Sequence, residues 1–309
     1  MGQSKSACIV LVAVFLVLIG TEPVAQAVFD WREGTAPTAL DVFRRTPSPA
    51  NLRAYEDGLR EQSNIANALR PWMQYVRFSL MNDAGRNGLI GRDGWLFYRP
   101  GVQFLAEPWN IHGQEDDPLK AIVSFRDQLQ ARGIALVVLV APGKESVYPM
   151  QLAGRATGHV NGHVEDFLAL LRASGVECVY AGPERDDTPR APQSDPEGPA
   201  YLAQDTHWTP ARARAVAEEV ADHAVARGWV QRGATVYDER AVSIERHGDV
   251  LRMAKSAPLL RAHAPEKIMC LQVIERASGN LYKDVADAPV LVLGDSFLRI
   301  FQSDEPGSA

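Results

Sequence analysis

From residue 117 onward, hydrophobic residues alternate between helical spacing and short, continuous apolar runs. Helical spacing is found at 117–132, 166–173 and 210–227, and apolar runs at 134–140, 176–180, 268–274 and 290–293. Runs of this kind, bounded by glycine or proline, are typical of strands buried on both faces. The β-α-β succession predicts an α/β fold with a mostly parallel central sheet and helices on both faces. The stretch from 236 to the run at 268 is expected to be connecting structure.

The residues ahead of this region predict a hairpin and a pair of helices. Asp93-Gly94 is a turn dipeptide between apolar, aromatic runs, so residues 87–98 are expected to form a β-hairpin. Residues 51–81 have helical spacing that is broken at Pro71, which predicts two helices packed on the main body. We therefore assign residues 28–86 as a helical lead-in.

Residues 1–27 have the layout of a secretory signal. A polar start with Lys5 leads into the apolar run from Ala7 to Ile19, and Ala25-Gln26-Ala27 offers a small-x-small cleavage site. The run is shorter than the roughly 20 residues that span a bilayer, which favours a cleaved signal peptide. An uncleaved signal anchor is the alternative. Either interpretation places the body of the protein across the membrane from the cytosol.

Composition limits the partners and the redox chemistry. The net charge of −6 provides no basic footprint for phosphates, so we exclude nucleic acid as a partner. Beyond Cys8 in the signal, the cysteines are Cys178 and Cys270, each in an apolar, strand-like run. Buried free thiols are therefore expected, with a disulfide as the alternative.

A candidate nucleophile follows the last apolar run. Gly294-Asp295-Ser296 comes after residues 290–293, and in open α/β sheets the carboxyl ends of strands face the ligand crevice. An isolated Gly-Asp-Ser is more often a polar turn that caps a strand. A serine hydroxyl reacts only when a base takes its proton and a third group orients that base. Ser296 therefore needs a histidine and a carboxylate from elsewhere in the chain.

Asp205 and His207 are the residue types that this chemistry requires. They lie two residues apart, just ahead of a helix that Thr209 and Pro210 are expected to begin, so their side chains point the same way. His159 and His163 also have a spacing seen in metal sites, but no carboxylate accompanies them. We therefore expect no metal and no cofactor.

Five segments, in this order, together resemble the SGNH-hydrolase-like alginate O-acetyltransferase family of periplasmic proteins. They are Gly91–Tyr98, Ala141–Lys144 with Tyr148-Pro149, Asp205–Pro210, Gly248-Asp249 and Gly294–Phe297. The resemblance implies an SGNH-like, three-layer α/β domain over residues 87–309, in a permuted order that places the Asp-x-His pair before the serine. Family members continue well beyond the nucleophile, so the end at Ala309 implies an incomplete C-terminal end of this domain.

The resemblance also implies a reaction, in which an acetyl group passes through a serine acyl-enzyme to hydroxyls of an exopolysaccharide such as alginate. Ser296 would carry the acetyl group, His207 would act as the base and Asp205 would orient His207. Trp208 and Arg299 are candidates for sugar contacts, with packing as the alternative for Trp208. The implied location is the periplasm, with or without an inner-membrane anchor. The implied partners are the polysaccharide acceptor, a membrane-bound O-acyltransferase that hands over the acetyl group, and other exopolysaccharide secretion proteins.

Two further functions are compatible with the sequence. A carbohydrate acetylesterase would use the same three residues and deliver the acyl group to water. A non-catalytic, polysaccharide-binding scaffold subunit of a secretion complex would need none of them.

Residues 182–199 contain five prolines and predict a long surface loop, either a lid or an insertion.

Overall fold

The computed structural model describes residues 5–43, 46–107, 117–154, 162–182 and 198–302. The chain forms two compact units, one of Met1–Leu80 with Ser256–Leu259 and the other of Met81–Lys255 with Leu260–Ala309. The predicted 182–199 loop, His159 and the last seven residues lie wholly or largely outside the described residues.

The first unit is helical. Its elements are α1 (Lys5–Arg32), a 3₁₀ helix (Thr38–Phe43), α2 (Pro49–Gln62) and α3 (Asn64–Met81). The helices α2 and α3 separate at Ser63, whose hydroxyl accepts the Ala66 N–H at 3.1 Å. The prediction that Pro71 breaks this region is wrong, because Pro71 lies inside α3. Among the described residues, no helix combines the length and the apolar character that crossing a membrane requires.

The second unit begins with the predicted hairpin. Strands β1 (Gly88–Ile90) and β2 (Leu96–Tyr98) pair antiparallel. The turn between them places Asp93 and Gly94 at φ values of 54° and 79°, a region that Asp and Gly tolerate better than most residues. The hairpin prediction is confirmed. Helix α4 (Arg99–Ala106) follows directly.

A β-α-β unit comes next, and its elements begin and end close to the predicted positions. Helix α5 (Pro118–Gln130) is capped by Asp117, whose side chain accepts the Leu119 N–H at 3.0 Å. The strands β3 (Val137–Val140) and β4 (Glu177–Tyr180) pair in parallel. Between them lie α6 (Lys144–Val147), α7 (Pro149–Ala153) and α8 (Gly162–Ala173).

The remaining elements of the described chain are the two strands of an antiparallel ribbon, one long helix and three short helices. They are α9 (Pro210–Ala226), β5 (Tyr237–Arg246), α10 (Asp249–Met253), α11 (Ala257–Ala262), β6 (Glu266–Glu275) and α12 (Ser296–Arg299). Strands β5 and β6 pair over their full ten-residue lengths. The expectation of connecting structure around β5 is wrong. The first half of this strand is exposed and carries Asp238, Glu239 and Arg240, so its hydrophobic alternation is visible only at Val242 and Ile244.

The central sheet differs from the prediction. The described strands form three two-stranded sheets, of which only β3–β4 is parallel, so a mostly parallel central sheet is not confirmed. The apolar run 290–293 is not a strand, and Leu291 is 81% exposed. No described strand pairs with this run, and a strand needs the hydrogen bonds of a neighbour. The prediction of a buried strand there is wrong.

Two hydrophobic clusters support the region of interest. The larger joins the ribbon to α9 and α12, and its buried members are Ala181, Leu202, Trp208, Val216, Ile244, Ile268, Cys270 and Ile300. The smaller lies under the hairpin and consists of Trp95, Phe97, Tyr148, Ala200 and Tyr201. The half-buried ring of Phe297 packs against both clusters. Cys178 and Cys270 have free thiols.

Candidate active site

Asp205 and His207 lie in a short loop that is fixed at both ends. Tyr201 and Trp208 form an antiparallel bridge, and the Leu202 N–H donates to the His207 carbonyl at 3.1 Å. Immediately afterwards Thr209 caps α9, where its hydroxyl accepts the Arg212 N–H at 3.3 Å. The predicted start of α9 is confirmed. We call residues 201–208 the Asp-His loop.

The Asp205 side chain is fully buried and accepts four hydrogen bonds. Its Oδ1 accepts from the His207 ring Nδ1 at 2.5 Å and from the His207 main-chain N–H at 3.2 Å. Its Oδ2 accepts from the Asp249 main-chain N–H at 3.0 Å and from Arg246 Nη2 at 3.4 Å. These donors replace the water that a carboxylate loses on burial. The carboxylate can therefore stay ionised beside His207.

The electrostatic balance at Asp205 is the sum of opposing effects. Burial is the largest single effect and by itself raises the pKa of this carboxyl. The hydrogen bond from His207, the positive charges of His207 and Arg246, and the Asp249 N–H together outweigh burial and lower the pKa from 3.8 to about 2. The charged form of Asp205 is thus the stable one at neutral pH.

Asp249 holds the residue between Asp205 and His207. Its Oδ1 accepts the Thr206 N–H at 2.8 Å, and its Oδ2 accepts the Thr206 hydroxyl at 2.5 Å. Burial raises the pKa of the Asp249 carboxyl, and the charge of Asp205 raises it further. Gly248 permits this approach, because a Cβ at that position would lie 2.1 Å from the Gln204 carbonyl carbon.

Ser296 meets the histidine from a different part of the chain. It is the first residue of α12, and its hydroxyl oxygen lies 2.7 Å from His207 Nε2. With the proton of neutral imidazole on Nδ1 and directed at Asp205, Nε2 accepts the Ser296 hydroxyl. Asp295 caps α12 by accepting the Phe297 N–H at 3.0 Å. Ser296 is exposed, whereas His207 is 8% exposed.

Two further contacts connect α12 to the Asp-His loop and the adjoining ribbon. The Trp208 indole Nε1 donates to the Phe297 carbonyl at 2.9 Å, and the Phe297 ring centroid lies 4.9 Å from that of His207. Arg246 Nη1 donates to the Ile300 carbonyl at 3.0 Å while Nη2 contacts Asp205. Arg246 therefore contacts both the buried carboxylate and the helix that begins with the serine.

Of the five site residues predicted from the sequence, the structure brings Asp205, His207 and Ser296 into one hydrogen-bonded line. Trp208 is 3% exposed and belongs to the larger hydrophobic cluster, which fits the packing alternative better than a sugar contact. Arg299 is exposed on α12.

Sequence reasoning gave no role to Arg246, although a signal for it exists. Val242, Ile244 and Arg246 share the inward face of β5, because side chains on one face recur every second residue. An inward arginine requires a buried acceptor, and Asp205 is that acceptor.

A metal centre fits these residues poorly. Asp205, His207 and Asp249 have potential ligand atoms within 4.8 Å of one another. However, His207 Nδ1 and Asp205 Oδ1 are already bonded to each other, and the Arg246 guanidinium would repel a cation. In the metal-like pair noted in the sequence, His159 and His163, the Nε2 atom of His163 lies 2.9 Å from the Glu107 carbonyl oxygen. His163 lies in the first turn of α8, which begins at Gly162.

A cavity of about 340 Å³ lies beside the Asp-His loop. Its walls come from Tyr201–Ala203, Thr209–Ala211 and Glu266–Met269, with Trp95 and Pro199. Neither His207 nor Ser296 lines it. The cavity is therefore separate from the hydrogen-bonded line, and we assign the candidate active site to the line.

The fold and the site together define an SGNH hydrolase-like α/β protein. Residues 89–303 match the family described as "SGNH hydrolase-like domain, acetyltransferase AlgX". Because the match covers more than half of the chain, the protein belongs to this family. The resemblance drawn from the five sequence segments is thereby confirmed.

Curated relatives carry the name "Probable alginate O-acetylase AlgJ". The protein from Pseudomonas aeruginosa is 30% identical over 145 residues, which cover 46% of this chain and 34% of that protein. The protein from Pseudomonas fluorescens is 26% identical over 236 residues, which cover 71% of this chain and 55% of that protein. The matched region thus spans between a third and just over half of these two relatives.

Two solved structures match part of this chain. The O-acetyltransferase domain of Pseudomonas putida AlgJ gives a TM-score of 0.45 at 24% identity, covering 62% of this chain and 66% of that one. Pseudomonas aeruginosa AlgX gives a TM-score of 0.43 at 20% identity, covering 60% of this chain and 42% of that one.

Proposed function

We propose that this protein is an O-acetyltransferase that uses Ser296 as its nucleophile, His207 as its general base and Asp205 as the residue that orients His207. The observation that carries the proposal is the continuous line from Asp205 Oδ1 to His207 Nδ1 at 2.5 Å and from His207 Nε2 to Ser296 Oγ at 2.7 Å. Both pairs are within hydrogen-bond reach, as a general base and the carboxylate that orients it require. The family relationship supports acetyl transfer as the reaction.

In the first half-reaction, Ser296 Oγ attacks the carbonyl carbon of an acetyl donor while His207 Nε2 takes the hydroxyl proton. The tetrahedral intermediate then expels the donor's leaving group, which receives that proton from His207. Asp205 keeps the imidazole in the required tautomer and stabilises the imidazolium. The product of this half-reaction is an acetyl ester on Ser296.

In the second half-reaction, an acceptor hydroxyl attacks the acetyl ester and gives its proton to His207. Collapse of the intermediate releases the acetylated acceptor, and the proton returns to Ser296 Oγ. Within the described residues the Ser296 N–H has no acceptor, so it is available to the oxyanion in both halves. One such donor is typically worth about 3 to 4 kcal/mol of transition-state stabilisation.

The acceptor proposed here is a hydroxyl of an exopolysaccharide, and alginate is the first polymer to test because the relatives' names point to it. We place the reaction in the periplasm. A membrane-bound O-acyltransferase would supply the acetyl group, and other exopolysaccharide secretion proteins would complete the assembly. These partners follow from the family resemblance and are part of the proposal.

Hydrolysis is the second candidate reaction, and one observation favours it. Ser296 is exposed, so water as well as a sugar hydroxyl can reach an acetyl group attached there. A carbohydrate acetylesterase would use the same line of residues. The two reactions differ only in the acceptor of the second half-reaction.

Incubation of the protein with p-nitrophenyl acetate and alginate oligosaccharides separates these functions. Nitrophenol release reports the first half-reaction, and mass spectrometry of the sugars reports transfer. We expect acetylated oligosaccharides from the wild type and none from Ser296→Ala. Acetate without acetylated sugar, even at saturating acceptor, would favour the esterase. Equal nitrophenol release by wild type and Ser296→Ala would refute a role for this serine.

A further inference from the structure

The first residue of α6 is a buried lysine whose ammonium group reaches the Asp-His loop. Lys144 is 3% exposed. Its Nζ donates to the main-chain carbonyl oxygens of Leu96 at 2.7 Å, Ala203 at 2.8 Å and Asp205 at 3.0 Å. We call these three acceptors the carbonyl site. One is on β2 and two belong to the Asp-His loop.

A lysine buried in this way is unusual, because buried cations are generally paired with a carboxylate. In the part of the chain that the structure describes, Lys144 has no ion-pair partner within 4.0 Å. Its three N–H donors are instead matched by three carbonyl acceptors. The rings of Trp95 and Phe97, centred 4.7 and 5.1 Å from Nζ, favour a cation over a neutral amine.

The carbonyl site fixes the main chain at Asp205, in addition to the contacts of its carboxylate. Asp249 and Arg246 hold the Asp205 side chain, whereas Lys144 holds its carbonyl and that of Ala203. The Ala203 carbonyl also accepts the Leu96 N–H at 2.8 Å, which ties this part of the loop to β2. The loop is thus attached through both its side chains and its backbone.

We propose that the charged form of Lys144 is a positioning residue, which keeps the Asp205–His207 pair aligned with Ser296 through the carbonyl site. A neutral amine has only two N–H donors, so loss of the proton leaves one of the three carbonyls unmatched. The loop then relaxes, and His207 moves relative to Ser296. This inference rests on the proposed function for its consequence in catalysis, but its structural part can be tested separately.

The electrostatics of the site bring the pKa of Lys144 close to neutral pH, so that its charge can change near that pH. Burial lowers the pKa of Lys144 from 10.5 to about 7, although four carboxyl groups raise it in part: Glu266, Asp205, Asp249 and Glu145. They face Lys144 from β6, the Asp-His loop, α10 and α6. Because the folded-state pKa is lowered, the ammonium is complete well below pH 7 and is lost as the pH rises through this value. Activity should therefore decline on the alkaline side.

The test compares kcat and KM across pH 5 to about 9.5 for wild type, Lys144→Arg and Lys144→Met, with p-nitrophenyl acetate as the donor. A misplacement of about 1 Å in a catalytic group lowers rates by up to about a hundredfold, so we expect kcat of Lys144→Met to fall about tenfold to a hundredfold. KM should change little, because the effect is on alignment. Lys144→Arg should recover part of this loss and should lack the alkaline decline, because a guanidinium stays charged.

Lys120→Met is the matched control, because the Lys120 side chain is 68% exposed on α5. It should behave as wild type in both kcat and pH dependence. Wild-type kcat in a folded Lys144→Met protein, or an unchanged alkaline decline in Lys144→Arg, would overturn the proposal. If Lys144→Met fails to fold, the pH dependence of kcat in the wild type and in Lys144→Arg still tests the proposal.

A spectroscopic measurement separates this inference from the proposed function. The proton between His207 Nδ1 and Asp205 should give a strongly downfield NMR signal in the Ser296→Ala background. We expect the signal to broaden as the pH rises through about 7 and to persist to higher pH in Lys144→Arg. If no variant shows Ser296-dependent turnover, the proposed function fails while this signal still tests Lys144. A signal that is insensitive to Lys144 would overturn the positioning role even in an active enzyme.

Discussion

The two halves of the candidate site are built in different ways. The Asp-His loop is buried and receives hydrogen bonds from Lys144, Arg246 and Asp249, which belong to three different elements. The half that carries Ser296 is a four-residue helix preceded by an exposed apolar run. The Asp-His loop is therefore held in place before substrate binds. The position of Ser296 depends instead on a few contacts between α12 and that loop or its neighbours. The free energy of unfolding should therefore be more sensitive to substitution in the buried half than in the exposed half.

The largest difference between the halves should appear on replacing Asp205. Asp205→Asn removes the charge that stabilises imidazolium and the acceptor that selects the His207 tautomer, so turnover should fall about 10⁴-fold. It also leaves Arg246 without its buried anion, which typically destabilises a protein by about 3 to 5 kcal/mol. Enzyme kinetics and urea unfolding measure the two effects.

Ser296→Ala is the matched variant in the exposed half. It should abolish turnover while changing the free energy of unfolding by no more than about 0.5 kcal/mol, as is usual for surface positions. Equal unfolding free energies for Ser296→Ala and Asp205→Asn would contradict the division into a buried and an exposed half.

Arg246 connects the two halves of the site, and its substitution tests that connection. Arg246→Met removes the bond to the Ile300 carbonyl and the contact with Asp205, so α12 and the loop should lose alignment. We expect kcat to fall about tenfold to a hundredfold, again through misplacement of catalytic groups. Arg240→Met, in the exposed first half of the same strand, should leave kcat unchanged, since Arg240 bonds only to the half-buried Gln272 among the described residues. A similar loss in both variants would point to a general effect on β5.

Acid should affect the buried half selectively. The pKa of Asp205 is lowered from 3.8 to about 2, so its stabilising contribution is complete above 3.8 and is lost as the pH falls through about 2. The full contribution is on the order of 2 kcal/mol. Unfolding free energies measured between pH 5 and about 2.5 should fall more steeply for wild type than for Asp205→Asn. Parallel pH dependences would mean that Asp205 has an ordinary pKa.

The smallest effect is expected in the exposed run ahead of Ser296. Leu291 and Leu293 are 81% and 71% exposed, so Leu291→Ser and Leu293→Ser should change the free energy of unfolding by less than about 0.5 kcal/mol. Leu251, which is 1% exposed, is the buried control, and Leu251→Ala should cost about 2 to 5 kcal/mol. A comparable loss at Leu291 would show that the run is packed in solution.

Local signals in the sequence were sufficient for much of the fold. The starts of α5 and α9 follow from Asp117, Pro118, Thr209 and Pro210, since caps and prolines act within a single turn. The hairpin follows from Asp93-Gly94 for the same reason. The three residues of the hydrogen-bonded line could also be named, because nucleophile, base and orienter are distinct residue types.

The errors concern features that depend on distant parts of the chain. An apolar run such as 290–293 indicates a capacity for burial, but burial requires a partner strand that the run itself does not specify. Strand β5 was missed because half of its residues are charged, and those at 238–240 interrupt the hydrophobic alternation. Arg246 and Asp249 reach Asp205 across 41 and 44 residues, and no local pattern encodes that convergence.

Gly248 has a consequence for how the site loses its structure. A side chain there would collide with the main chain of Gln204 and Asp205, so the Asp-His loop and the start of α10 are in contact along their backbones. The Asp249 bonds to Asp205 and Thr206 then join the two segments at three points. Segments joined in this way open together rather than one by one. The amide hydrogens of Thr206 and Asp249 should therefore exchange with solvent in a single cooperative event, even though they are 43 residues apart in the chain.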